Sequence, residues 1–494
     1  LNNSKLVVGI DSSTQSCKVE IRELETGKLI ATSTESHPAT FPPKSEQNPE
    51  IWWQNLKSAF AKAQKSHNFD KKNIVSIGVT AQCHGLVVLD KNSNVIRPAK
   101  LWNDTESSLQ SDFLLNKYGK KYWIESTGSM IGPSFTITKL LWLYENENEN
   151  FLKIKKVILP HDYLVWKLSN RFVTDRAGAS CTGYYSIKDG KWDLEVLQQV
   201  AKNFDWQLVL PEILSPNEKS GFISHDAAEE LGLKKDVVIA AGTGDQMASA
   251  LGLGIGQGDY VISLGTSICV FSVASNLVLD LNGLVNCVCD SNGKFLPIIV
   301  SLNGTKVTNL FSKIMNRSLE ELSNLALDFN PAEPKLYFSA LIDGERSPNL
   351  PNATGTLAGI TSETTINGMA RAAFDGVLTP VIKNYKYLQS LTRNPMKRLI
   401  VTGGGAKSYA YKQILADLAQ QEITQLDVEE SAARGACIQA ASATGHITVD
   451  EILKLWALDV VDLIKPRYQA GLTEYFSAFD ICSGWRGLDR KSKS

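Results

Sequence analysis

No apolar run in this chain approaches the roughly 18–20 residues that a membrane-crossing helix requires, which argues against a membrane protein. The first apolar run, Leu6–Ile10, is too short for the core of a secretory signal and leads straight into structured sequence. Cysteine is sparse. The eight residues Cys17, Cys83, Cys181, Cys269, Cys287, Cys289, Cys437 and Cys482 are scattered, with no C-x-x-C pair. That argues against a disulfide framework and for reduced thiols in a cytoplasm. Neither these cysteines nor the six histidines fall at zinc-ligand spacing. An excess of one charge is missing too. Lys and Arg number 51 against 52 Asp and Glu, which leaves no general electrostatic case for nucleic acid or an anionic membrane. Also absent are the G-x-x-x-x-G-K-[ST] phosphate loop and the G-x-G-x-x-G loop of protein kinases, so an ATP site here needs another architecture.

What is present is a long globular chain. Its 494 residues exceed the roughly 250–300 at which one core stops growing, so two large domains are expected. Leu6–Ile10 and Cys17–Arg22 read as strands, and the turn Glu25-Thr26-Gly27-Lys28 makes a hairpin with the next strand. Asn48 followed by Pro49 and Glu50 predicts a helix start, with the helix running to about Ser66. Ile74–Val79 is a buried strand ending in the turn Thr80–Gly85, and Leu86–Leu89 continues as another. Helices are expected around Leu140–Glu145 and Tyr163–Lys167, with a surface turn at Glu145–Asn150. A strand at Val237–Ala241 then leads into a glycine-rich turn, Gly242–Gln246, and a small-residue helix, Met247–Leu251. A second cycle has strands at Tyr260–Leu264, Ile268–Val273 and Arg398–Thr402. Alternating strands and helices in both halves predict an α/β fold. The boundary is placed near residues 245–258, giving domains of 1–245 and 246–494, and only the last few residues read as a tail.

One feature occurs twice. Val7–Ser16 and Tyr260–Ser267 each run an apolar strand into a small, hydroxyl-rich turn. Small residues after a strand are ordinary turn chemistry, but two copies, each opening an α/β half, are better read as a duplicated phosphate-handling hairpin. Backbone N–H groups and hydroxyls in such a turn make a concave anion site. One turn would grip one phosphate of a nucleotide and the second turn another. Asp11, at the end of the first strand, would hold Mg²⁺ directly or through water, although a turn-capping role is the plainer local reading. Gly403-Gly404-Gly405-Ala406 follows a strand, and its glycines let the backbone pass close to a bulky ligand such as adenosine. Asp245 lies between Gly244 and Gln246 at a glycine-rich strand end on the domain boundary. It could take a proton from an alcohol during phosphoryl transfer, while on local sequence alone an N-cap for the helix from Gln246 is the stronger reading. His84 is either a packing histidine or a donor to a sugar hydroxyl. Beside it, Cys83 has no partner in the sequence that would lower its pKa, so it is not read as a nucleophile.

As a set, these pieces resemble the FGGY-type carbohydrate kinases, and within that family the bacterial xylulokinases. The resemblance covers essentially the whole chain in order: Gly9–Ser16, Ser45–Trp53, Gln82-Cys83-His84-Gly85, Leu101-Trp102-Asn103-Asp104, Ser134–Trp142, Leu159–Leu164, Thr174-Asp175, Gly244-Asp245-Gln246, Ser263–Ser267, Asp343–Pro348 and Gly403–Ala406. It implies two actin-like, ribonuclease-H-like domains with an active site in the cleft between them. The N-terminal domain would bind the sugar and the C-terminal domain mainly the nucleotide. It also implies a cytoplasmic, ATP- and Mg²⁺-dependent kinase, homodimeric, converting D-xylulose to D-xylulose 5-phosphate. By resemblance Asp245 is the general base and Asp11 the acidic catalytic residue at the metal and phosphates. Cys83, His84, Gln246 and Asp104 match sugar-side positions, and Ser13, Thr14, Gly265, Thr266, Gly404, Gly405 and Ala406 match nucleotide-side ones. Three positions depart from the pattern: Cys83 stands where methionine is frequent, Gln246 where asparagine is common, and Gly368 where a polar residue is usual. The first two bear on which sugar is accepted. A ribulose, gluconate or other polyol kinase is the alternative within the class, and a non-catalytic actin-like ATPase the alternative outside it.

Overall fold

A strand buried on both faces belongs in the middle of a sheet, and the first apolar run takes that place. In the computed structural model, β1 (Leu6–Ser12), β2 (Ser16–Glu23) and β3 (Leu29–Ser36) form an antiparallel meander, and β4 (Ile74–Ala81) runs parallel to β1 on its other side. The described residues are 4–348, 350, 352–468 and 472–485, so the tail read from the sequence lies outside them from residue 486 onward. The chain divides into two compact units. One takes the chain up to Ile255 together with Ser275–Leu296 and Glu430–Leu458; the other takes Gly256–Ala274, Pro297–Glu429 and the chain from Asp459 onward.

In the first unit β5 (Lys219–Phe222), β6 (Val238–Ala240) and the short β7 (Thr243–Gly244) complete the sheet. Its order is β5-β6-β4-β1-β2-β3, with β7 also on β4. Helix α1 (Pro49–Ser66) starts as the sequence predicts. Asn48 caps it by accepting from the Glu50 N–H at 3.1 Å, and Trp52, Trp53, Leu56 and Phe60 join the core under the sheet. The other face carries α2 (Asp245–Gly252) and α3 (Ser431–Ala443).

Helix α3 sits so close that only glycine fits beneath it. A Cβ on Gly9 would lie 2.2 Å from the Ala433 carbonyl oxygen, and one on Gly78 2.1 Å from that of Ala436. Between the helices, a Cβ on Gly435 would lie 1.9 Å from the Ala248 carbonyl oxygen. Backbone carbonyls cannot swing aside as side chains do, so these contacts fix the spacing.

The second unit repeats the wiring. β8 (Asp259–Leu264) is antiparallel to β9 (Ile268–Ser272), which in turn pairs with β10 (Phe295–Ser301). On its other side β8 runs parallel to β11 (Arg398–Thr402), followed by β12 (Ile423–Leu426) and β13 (Val460–Ile464). Arg398 grips Asp259 with two nitrogens, at 2.9 and 2.7 Å, at the head of the paired strands.

Two local expectations are corrected. Glu145–Asn150 is not a turn: one helix runs Thr136–Asn146, a second Asn148–Phe151, and the polar residues form their outer surface while Phe151 is buried. Gly242–Gln246 is not one turn either. Thr243 and Gly244 pair with Thr80 and Ala81, and the helix begins at Asp245 with Gly244 as its cap. Among the described residues no helix is long and apolar enough to cross a membrane.

Gly435→Val should lower stability by more than about 2 kcal/mol, because the clash is with backbone. Gly132→Ala, where a Cβ meets nothing within 4 Å, should leave it within about 0.5 kcal/mol. Urea midpoints of the two variants measure the contrast.

Candidate active site

β1 delivers Asp11 to the sheet edge, level with Lys18 on β2 and Thr80 on β4. Asp11 is 8% exposed, and the Ser13 hydroxyl donates to its Oδ1 at 2.7 Å. Burial pushes its carboxyl up to about 7. The negative charges of Asp245 and Glu430 add to that rise, against the Ser13 hydrogen bond and the Lys18 charge. The structure thus brings Asp11 and Asp245 within electrostatic reach of each other.

Asp245 is the first residue of α2, where the N-terminal end of the helix favours a carboxylate. Its Oδ1 accepts from the Gln246 N–H at 2.8 Å and from the Cys83 thiol at 3.4 Å. The carboxyl is nevertheless raised, first by burial, which outweighs those bonds and the positive charge of His161. Asp245 and Gln246 both keep part of their surface open. An acid held back from ionising yet partly accessible suits proton transfer.

The sequence offered no role for the residues behind Asp245. His161 is buried, with Nε2 2.9 Å from Asp162 Oδ1 and 3.4 Å from Asp175 Oδ1. Burial disfavours its charge, but the two carboxylates outweigh that and lift it to about 10, so it is an imidazolium at neutral pH. Asp175 Oδ2 accepts from the Thr243 hydroxyl at 2.9 Å, and the Thr243 carbonyl accepts from the Thr80 hydroxyl at 3.1 Å. The Asp175 carboxylate and the Thr80 hydroxyl thus fix Thr243, two residues before Asp245. Gln82 was missed as well. It is fully buried, and neither side-chain amide atom has a hydrogen-bond partner among the described residues. Its backbone N–H reaches the Ser12 carbonyl at 3.3 Å, beside Asp11. Gln82 thus carries an orphaned amide one residue before Cys83, which touches Asp245.

Cys83 touches Asp245 and lies over Gly244, where a Cβ would be 2.4 Å from its sulfur. The neighbouring Cys181 thiol, then burial and Asp245, push the Cys83 thiol well above its ordinary range, so it is no nucleophile. His84 adopts a left-handed φ of 64°, uncommon outside glycine, with Nδ1 donating to the Cys181 carbonyl at 2.6 Å. Its ring packs 4.8 Å from that of Phe135, and its carbonyl accepts from Thr136 Oγ1 (3.1 Å) and Lys139 Nζ (3.2 Å). Such a backbone, held by its surroundings, is typical of functional positions.

Ser13 and Thr14 occupy the turn between β1 and β2. Asp104 does not join the acids. It is fully buried, with its carboxylate 3.2 and 3.3 Å from Lys100 Nζ, and it accepts from the Ser45 N–H at 2.9 Å. Glu46, Asp104 and Glu106 are the one group of three acids among the described residues close enough to share a metal, and the Lys100 ammonium pairs with all three.

In the second unit the turn Gly265-Thr266-Ser267 is pinned from one side. The Gly265 carbonyl accepts from the Thr305 N–H and that of Thr266 from the Gly304 N–H, each at 2.9 Å. Thr266 is exposed. Gly403 takes φ 85° and packs under the Leu264 carbonyl, which brings the Gly403–Ala406 stretch beside this turn. Gly404 is exposed and would meet nothing with a Cβ, whereas Gly405 and Ala406 are buried.

Residues 6–252 match the N-terminal domain of the FGGY family of carbohydrate kinases, and residues 260–444 its C-terminal domain. A xylulose kinase of Streptomyces coelicolor is 34% identical over 454 residues, 91% of this chain and 90% of that protein. A solved xylulose kinase from Bifidobacterium adolescentis superposes with TM-score 0.86 at 30% identity, over 98% of this chain and 100% of that one. A gluconate kinase from Lactobacillus acidophilus superposes with TM-score 0.90 at 23% identity over 98% of both chains, a likeness of fold alone.

Between pH 3.8 and about 7 the folded state holds a proton on Asp11 that the unfolded chain releases, so stability falls as pH rises through that window. In metal- and nucleotide-free buffer, Asp11→Asn should therefore melt above the wild type at pH 8. The gap should close as pH falls toward 4. Thermal melts across pH test this, and a gap independent of pH would contradict it.

Proposed function

The chain belongs to the FGGY family of carbohydrate kinases and is an ATP-dependent sugar kinase, and from that premise we propose that it phosphorylates D-xylulose to D-xylulose 5-phosphate. Family membership makes it an enzyme and sets aside a non-catalytic actin-like ATPase. The observation that carries the mechanism is the Asp245 carboxylate, partly open, raised by burial, and flanked by the Cys83 thiol and the Gln246 amide. In this reading Asp245 takes the proton of the sugar's 5-hydroxyl as that oxygen bonds to the terminal phosphorus. The bond from that phosphorus to the bridging oxygen of ADP breaks as the new one forms. The His161 charge behind Asp245 works in a small way against the rise that burial imposes.

The first unit is read as the sugar side, with Cys83, His84 and Gln246 facing the ketose. Asp104 supports it from behind through Lys100 and Ser45. The second unit is read as mainly the nucleotide side, with Gly265, Thr266, Gly404, Gly405 and Ala406 as its nucleotide positions, and Ser13 and Thr14 are read as nucleotide positions of the first unit. Mg²⁺ fits the acidic site: the donors are all oxygen, Asp11 and Asp245 both resist ionising without a cation, and the Gln82 amide lacks a partner. Asp11 would hold it directly or through water. When bound, the ion neutralises charge on the transferring phosphoryl group. The eight thiols are all free, in keeping with a reducing cytoplasm. The homodimer belongs to the same proposal and is read directly by light scattering.

Cys83 and Gln246 favour weighing a second sugar. A thiol is shorter than the methionine frequent at that place, and Gln246 is longer than asparagine. An ADP-release assay over D-xylulose, D-ribulose, L-ribulose, gluconate and glycerol separates the readings. D-xylulose should lead by at least about tenfold in kcat/KM. No turnover of D-xylulose would overturn the assignment.

A further inference from the structure

Two long-range hydrogen bonds hold Thr14. Gln47 Nε2 donates to its carbonyl at 3.0 Å, and the indole Nε1 of Trp102 donates to its hydroxyl at 2.8 Å. Both partners are themselves fixed. The Gln47 amide also donates to the Pro38 carbonyl at 2.9 Å and accepts from Trp52 Nε1 at 2.8 Å, which leaves it one orientation. Trp102 stands in the short loop after Lys100. The Leu101 N–H bonds the Ser45 carbonyl and the Ser45 N–H bonds Asp104, both at 2.9 Å, and the buried Lys100–Asp104 pair anchors the loop at each end.

An indole N–H only donates. In this bond Thr14 Oγ1 is therefore the acceptor, and its own proton is left for another group. It bonds to none among the described residues. The Ser13 hydroxyl next to it is spent on Asp11, so Thr14 carries the one side-chain proton of the Ser13-Thr14 pair left to be shared outward.

We propose that Trp102 is a positioning residue for phosphoryl transfer, its indole N–H holding the Thr14 hydroxyl as a donor toward a phosphate oxygen of the nucleotide. The inference rests on reading the turn after β1 as a phosphate-gripping turn. It assigns the loop Leu101–Asp104, carried on the sugar side, a second task on the nucleotide side. The buried charges around Lys100 then act at a distance, by keeping the indole in place.

The test is a double-mutant cycle. Trp102→Phe keeps a ring and loses the N–H, and Thr14→Val keeps the shape and loses the hydroxyl. Each should lower kcat/KM for ATP about five- to tenfold, the effect of one hydrogen bond to a charged acceptor. The double variant should fall no further than Thr14→Val, and KM for the sugar should stay within about twofold. Thr14→Ser, which retains the hydroxyl, should keep most of the wild-type value and still lose it on adding Trp102→Phe. Additive losses would overturn the inference, because Trp102 would then act by another route. A loss in Thr14→Val with none in Trp102→Phe would overturn it alone and leave the phosphate-turn reading standing. No loss in Thr14→Val would remove both.

Discussion

The site in the first unit depends on one contact: the backbone of α3 against the backbones of β1, β4 and α2. Gly9, Gly78, Gly252 and Gly435 leave room for carbonyls where a Cβ would come within 1.8 to 2.2 Å. Because that spacing is set by main chain, the strand that ends at Asp11 and the helix that begins at Asp245 are held to one ridge. Polar bonds extend the hold. The Ser249 and Ser431 hydroxyls meet at 2.6 Å, Arg434 donates to the Gly252 carbonyl, and Gln439 donates to the Gly242 carbonyl at 3.0 Å, just ahead of β7 and Asp245. The positions of two carboxylates thus follow from the packing of a helix that carries neither.

That rigidity lets the site hold an arrangement that would relax if it could. Asp11 and Asp245 are both pushed up, His161 is a buried cation, His84 sits in a left-handed backbone, and Gln82 has an unsatisfied amide. Each of these costs stability on its own. Together they describe a site whose strained and charged groups are held in place by the packing around them. The second unit shows the same β-hairpin wiring without the acids: where Asp11 lies between β2 and β4, Ser263 lies between β9 and β11. The first copy of the turn carries a carboxylate, and the second offers backbone and the Thr266 hydroxyl.

Much of this was legible in the sequence, for local reasons. β1 is written in a continuous apolar run, its hairpin partner in alternation and α1 in the Asn48 cap, all of which short windows reveal. The duplicated strand and turn could be matched because both copies keep the same residue classes. What escaped depends on distance in the chain. Ser431–Ala443 is mostly small residues, with Arg434, Ile438 and Gln439 among them, and nothing local says that it packs on strands more than three hundred residues earlier. His161 and Asp175 stand in stretches that match the family pattern but carry no role there, and only the fold shows Asp175 accepting from Thr243 in β7, just before Asp245. Asp104 matches a sugar-side position by resemblance, while the contacts of its carboxylate with Lys100 and Ser45 are visible only in the fold. Asp245 itself was placed correctly at a helix start but one position out, because Gly244 takes the cap, where Cys83 leaves no room for a side chain.

The central claim is that Asp245 removes the proton from the attacking hydroxyl. Single-turnover phosphoryl transfer from ATP to D-xylulose by Asp245→Asn tests it most directly, with sugar and ATP binding measured by calorimetry on the same protein. Binding should stay within about threefold of wild type while the transfer rate falls by about a thousandfold or more, the effect of losing a general base from a preorganised site. A transfer rate within about tenfold of wild type, with binding intact, would contradict the claim and place the base elsewhere.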